Sequence, residues 1–222
     1  MNESMHAAVS ALGIRVPSRR ELLADGVIHV MGVALGVIGA AILIALAALK
    51  HTYVEVIAVS IYAAGMILMF SLSALYNLAR KSRYREYFQR LDHSGIFLMI
   101  AGTYTAFTIL MLKGDWGLYL TIVVWSVALV GVLIKLFWPK RLEGFTTGLY
   151  IALGWVGIIA IEPIFTSLGA AALVLLGVGG ALYTIGVIFH LWERLPYQNA
   201  IWHGFVVAGA GTHYSAVLTS LV

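Results

Sequence analysis

The chain has 222 residues, 61% of them hydrophobic and only 11% charged, whereas a soluble chain carries about 25% charged residues. There is too little polar surface to coat a water-soluble globule, and the number and continuity of the apolar runs exclude a peripheral protein, a single-pass protein and a barrel of alternating strands. The net charge is +4, and no cysteine is present to form a disulfide, ligate a metal or act as a thiol nucleophile.

A membrane-crossing helix needs about 20 mostly apolar residues to traverse a hydrocarbon core of about 30 Å. In chain order seven segments qualify: Asp25 to Leu49, Tyr53 to Tyr76, Asp92 to Leu112, Trp116 to Phe137, Phe145 to Ile161, Gly169 to Leu191, and Ala200 to Val222. The fifth is the shortest, because Glu162-Pro163 cuts it off, and Glu162 reads as a loop residue. Neither an internal repeat nor a linker long enough to separate domains is evident. The expected architecture is therefore all-α: an arm over residues 1–24, then one integral membrane bundle of seven transmembrane helices over 25–222. Ala45-Leu46-Ala47 resembles a cleavage site. The apolar stretch before it is far longer than the roughly 7–15 residues of a signal peptide, so no cleavage is expected.

Basic residues orient the bundle, since Lys and Arg accumulate in cytoplasmic loops. Arg15, Arg19 and Arg20 precede the first span; Arg80, Lys81, Arg83, Arg85 and Arg90 lie between the second and third. Lys135, Lys140 and Arg141 flank the fourth-to-fifth connection, and Arg194 lies before the last span. Only Lys50 and Lys113 fall on the other side. This bias places the N-terminus in the cytoplasm and the C-terminus outside. The positive charge then meets anionic lipid headgroups, at about 1 kcal/mol per residue near the surface, and no nucleic acid is needed to account for it.

Ionisable residues within spans are costly, and so they mark candidate sites. Here they collect at one end. Asp25 and His29 are four apart, as are Ser73 and Asn77, and Asn199 and His203, while Asp92 and His93 open the third span. Spacing of four puts both members of a pair on one helical face. His29, Ser73 and His203 lie roughly 10–13 Å inward from the nearest basic residue of their own helix end. The first, second, third and seventh spans can thus converge on a polar pocket in the inner leaflet. From spacing alone, three readings stand: a hydrogen-bond network that fixes packing, a metal site drawn from Asp25, His29, Asp92, His93 and His203, and a proton or ion path. The other polar residues point less clearly. Glu55 reads as an interfacial carboxylate, His213 as paired with a tyrosine or a backbone carbonyl, and His190 and Glu193 as interfacial. The last span has no lysine, so a retinal Schiff base there is excluded.

Leu91-Asp92-His93 followed by Ala101-Gly102-Thr103-Tyr104-Thr105, together with Ser73-Ala74-Leu75-Tyr76-Asn77 and Ala200-Ile201-Trp202-His203-Gly204-Phe205, resembles the signatures of the haemolysin III family. Asp25 and His29 are similar to its first-helix motif, which usually has Asn where Asp25 stands and a glutamate at the position of Leu22, beside Glu21. The resemblance runs from Glu21 to the end of the chain and extends to the progestin and adipoQ receptors. It implies seven helices with a cytoplasmic N-terminus, and an intramembrane zinc that would activate water against a lipid amide such as ceramide. The implied ligands fall on Asn77, Asp92, Asn199 and His203, with Ser73 the candidate for a catalytic role.

Asparagine stands at two of those four positions, where the family has histidine. Its amide oxygen is a poor zinc ligand, and Asp92 and His203 alone fall short of the three protein ligands that catalytic zinc needs. Zinc is thus a possible cofactor that this sequence itself argues against. The expected function is a haemolysin III-type protein of the bacterial inner membrane whose pocket binds lipid or serves packing. The alternatives are a zinc-dependent lipid amide hydrolase, in which His29 or His93 supplies a missing ligand, and a haemolytic or pore-forming protein. A pore would need polarity through the full membrane depth, and here it stops in the inner leaflet. Receptor-like signalling ranks last, for want of a docking motif.

Overall fold

A computed structural model describes residues 16–112, 115–138 and 142–222. Arg15, Lys113, Lys140 and Arg141, counted in the charge argument, lie outside these residues, as do residues 1–15 of the N-terminal arm. The described chain is helical: α1 (Arg19–Lys50), α2 (Tyr53–Leu78), α3 (Arg85–Leu110), α4 (Asp115–Phe137) and α5 (Glu143–Trp155) come first. A 3₁₀ turn (Val156–Ala160) then leads into α6 (Ile161–Ser167), followed by α7 (Ala170–Leu191) and α8 (Gln198–Leu221).

Local chemistry sets the helix starts. The Ser18 hydroxyl accepts from Glu21 N–H at 3.3 Å and begins α1 six residues before the expected span. Thr52 and Glu55 form a capping box, with Thr52 N–H donating to Glu55 Oε2 at 2.8 Å, so Glu55 acts as a cap at its interface. Glu162 lies in α6 and not in a loop. Pro163 falls within the first turn of that helix, where its missing N–H costs nothing.

Among the described residues, six helical segments are long and apolar enough to cross a membrane, with Glu143–Ser167 counting as one. The seventh, α8, has the length at 24 residues but not the apolarity. Its hydroxyls are turned back on its own backbone: Thr212 donates to Gly209 O, Ser215 to Gly211 O and Ser220 to Val217 O. That satisfaction is what an apolar surrounding requires of a polar helix.

The helices pack as neighbours in sequence, and α8 closes back onto α1. Against this firm arc, α5 and α6 are loosely attached. Leu35, Ile38 and Ile42 on α1, and Leu118, Ile122 and Leu133 on α4, are exposed. Such a surface is untenable in water and normal against lipid. Between α2 and α3, Gly65 faces the Leu98 carbonyl and Gly102 the Ile61 carbonyl, each leaving 3.1 Å for a Cβ. The two backbones meet through paired small residues, as membrane helices do. Between α3 and α4, the Phe97 ring, 0% exposed, occupies the space a side chain at Gly131 would need. Gly131→Val is accordingly expected to cost about 1–3 kcal/mol through overpacking. Gly148→Ala, with nothing within 4 Å of its Cβ, should be neutral or stabilising by up to about 1 kcal/mol. Thermal unfolding in one detergent compares them, and equal stabilities would dismiss the packing argument.

Candidate functional site

The buried positions of α1 recur every three or four residues, through Glu21, Asp25, His29, Gly32 and Gly36. That stripe carries a carboxylate and an imidazole into the bundle one turn apart. Asp25 is 2% exposed and His29 4%. The His203 Nδ1–H of α8 donates to Asp25 Oδ1 at 2.7 Å, and Arg80 Nη2 at the end of α2 donates to Oδ2 at 3.3 Å. Arg80 Nε donates to the Asn77 carbonyl at 2.9 Å. One carboxylate thus ties α1, α2 and α8 together. His29 Nε2 stands 3.6 Å from Asp25 Oδ1, beyond hydrogen-bond length, and its ring centroid is 4.2 Å from that of His203. This nitrogen is buried with no hydrogen-bond partner.

His29, Ser73, Asn77, Asp92, His93, Asn199 and His203 line one cavity of about 310 Å³. Asp25 faces a second, of about 190 Å³, with Glu21, Leu22, Glu193 and Gln198. Arg80 and Asn199 line both and form the wall between them. Away from this polar end the larger cavity is walled by Phe70, Met99, Trp155, Tyr183 and Val206, and it reaches His213. His213 meets the Leu176 carbonyl at 3.4 Å and the Tyr183 ring at 5.5 Å between centroids. Trp155 Nε1–H donates to Thr184 at 3.0 Å, tying α5 to α7 where their packing is sparse.

The positions to which the resemblance assigns zinc do not fit it. The Asn77 amide nitrogen donates to Ser73 O of its own helix at 3.0 Å, a local bond and not a ligand posture. Among the described residues, the group of three His or acidic side chains that could hold a metal ion is Asp25, His29 and His203, with donor atoms within 4.8 Å of one another. It includes His203 but not Asp92.

Sequence reasoning missed several polar cavity residues, Lys135, His190 and Tyr150 among them. Lys135, placed at the end of the fourth span and counted among the cations of the cytoplasmic side, is 1% exposed and lines the cavity beside Glu143. The signal was present: the buried stripe of α4 runs Leu120, Val124, Ala128, Gly131, Lys135 at helical spacing. His190, read as interfacial, also lines the cavity, and Tyr150 reaches in to donate to the His93 carbonyl at 3.0 Å.

A bundle of this kind, with apolar flanks and a buried His/Asp cluster at one end, is a multi-pass membrane protein. The chain belongs to the haemolysin-III related family, which it matches over residues 19–214. It is 36% identical over 199 residues to a Hemolysin-3 homolog of Bacillus subtilis (strain 168), covering 90% of this chain and 93% of the relative. With Hemolysin-3 of Bacillus cereus it shares 37% over 199 residues, 90% and 91% of the two chains. The human Monocyte to macrophage differentiation factor is 25% identical over 219 residues, covering 96% and 90%; it carries the kinship with the progestin and adipoQ receptors. No solved structure matches the chain.

Proposed function

We propose that this protein crosses the inner membrane seven times with its N-terminus in the cytoplasm, and holds a membrane lipid by its headgroup in the larger cavity without hydrolysing it. The cavity itself carries this reading. Arg85, Asp92, Lys135 and His203 line one end, Phe70, Met99, Trp155 and Val206 another part of the wall, an arrangement that matches a headgroup followed by an acyl chain. Its volume of about 310 Å³ lies at the lower end of small-ligand sites, about 300–1,000 Å³. Lateral access between α5 and α7 needs little beyond release of the Trp155–Thr184 bond. The cytoplasmic assignment rests on the positive-inside bias, since the described basic residues other than Lys50 belong to the helix ends and connections of one side.

Lipid retained through purification, counted by mass spectrometry, tests this. Val206→Phe fills the apolar wall and is expected to lower retained lipid about tenfold, equivalent to about 1.4 kcal/mol, with helicity unchanged. Equal retention would refute the site. Dye-loaded vesicles reconstituted with the protein should stay sealed; leakage abolished by Asp92→Ala would instead favour the pore reading. The second reading, a metal-dependent lipid amide hydrolase, draws on the Asp25–His29–His203 group. Chelator-sensitive turnover of ceramides or acyl amides would move it to the front.

A further inference from the structure

Asp25, His29 and His203 are gathered more tightly than lipid binding requires, on two helices that pack directly against each other. We infer that this trio is a binding site for a divalent transition metal of zinc's class, displaced from the family's ligand positions, and that Arg80 is its built-in competitor. Tetrahedral zinc with bonds of about 2.0–2.1 Å sets its ligand atoms about 3.3 Å apart. Asp25 Oδ1 stands 3.6 Å from His29 Nε2 and 2.7 Å from His203 Nδ1. These two separations convert to metal geometry by shifts of less than about 1 Å, as the His203 proton gives way to the ion, and the two ring nitrogens lie within 4.8 Å of each other.

His29 Nε2 is the independent observation. A buried ring nitrogen without a hydrogen-bond partner costs free energy unless something occupies its lone pair or its proton, and this one is directed at the oxygen that His203 already shares. The smaller cavity supplies an access route, with Glu21, Asp25 and Glu193 on its walls. Arg80 opposes the ion. Its guanidinium lies 3.3 Å from the other oxygen of Asp25, so an arriving dication meets a positive charge that the same carboxylate already neutralises. The inference goes beyond the lipid reading and is scored apart from it, because retained lipid is counted by mass spectrometry in the same preparations.

The test strips the full-length protein of metal in detergent and titrates it with Co²⁺, read by its visible ligand-field absorption. Saturable tetrahedral binding at one ion per chain is expected, tightening about tenfold in Arg80→Gln. His29→Ala and Asp25→Asn should each weaken it by at least about tenfold, and Asp92→Asn by less than about twofold. Binding seen only in Arg80→Gln also supports the site, since it isolates the competitor; being a gain, it cannot come from misfolding. A packing cluster gives the opposite result. No saturable Co²⁺ in either the parent or Arg80→Gln overturns the inference, as does binding that survives His29→Ala but fails in Asp92→Asn.

Discussion

Asp25→Ala is expected to lower the unfolding free energy by about 3–5 kcal/mol, the cost of breaking a buried ion pair from one side. The carboxylate is 3% exposed and has His203 of α8 at 2.7 Å, Arg80 just past α2 at 3.3 Å and His29 of its own helix at 3.6 Å. Its removal leaves the His203 N–H without an acceptor and the Arg80 guanidinium without a counter-charge. Arg80 is 29% exposed, so it can swing its head toward the headgroup region, which sets the effect nearer the lower figure. Asp25→Asn retains an acceptor for His203 and loses only the charge, and so should cost less than the alanine variant. The double variant Asp25→Ala, Arg80→Ala should recover part of the loss, because an unpaired buried charge, and not the missing contact, carries most of the penalty. Unfolding in mixed micelles measures all three. An Asp25→Ala change within about 0.5 kcal/mol of the parent, the range of ordinary surface substitutions, would show that this carboxylate holds nothing together.

What the sequence made legible follows from what each signal measures. Apolar length located the spans to within a turn or two, because crossing hydrocarbon is a condition on consecutive residues. It is a weaker guide to α8, whose polar side chains lower an average over hydropathy although Thr212 and Ser215 are satisfied on the helix's own carbonyls. It also missed the start of α3 at Arg85, since a helix can begin in the headgroup region before it becomes apolar. Spacing of four anticipated that Asp25 and His29 share one face of their helix, as do Ser73 and Asn77, because a single helix fixes those relations. Which residues meet across helices was not legible. His203 bonds to Asp25 and not to Asp92, a choice set by the packing of α8 on α1. Lys135 shows the complementary error: it was counted only with the cations that flank the fourth-to-fifth connection, while the apolar and small residues at helical spacing before it already turned it inward.

The two asparagines offer the sharpest test of how far this chain has moved from its family's chemistry. With Asn77→His and Asn199→His together, the four positions that the family uses would carry three imidazoles and the Asp92 carboxylate, a full set for tetrahedral zinc. Asn77, Asp92, Asn199 and His203 line the same cavity, and the amide bond from Asn77 to Ser73 O is local, so little of the fold depends on what is replaced. Zinc affinity is expected to rise by at least about a hundredfold over the parent, on the scale by which individual ligands and their supports tune metal sites. That added affinity should vanish on Asp92→Ala and persist in His29→Ala, the reverse of the pattern expected for the parent. An unchanged affinity, or a gain that depends on His29, would mean that the four positions do not converge on one ion. If zinc binds and lipid amides are then cleaved, the scaffold has kept its substrate geometry, and two side chains separate binding from hydrolysis. If zinc binds without cleavage, the departure lies deeper than the metal shell, in the tie between His203 and Asp25 that turns the imidazole toward α1.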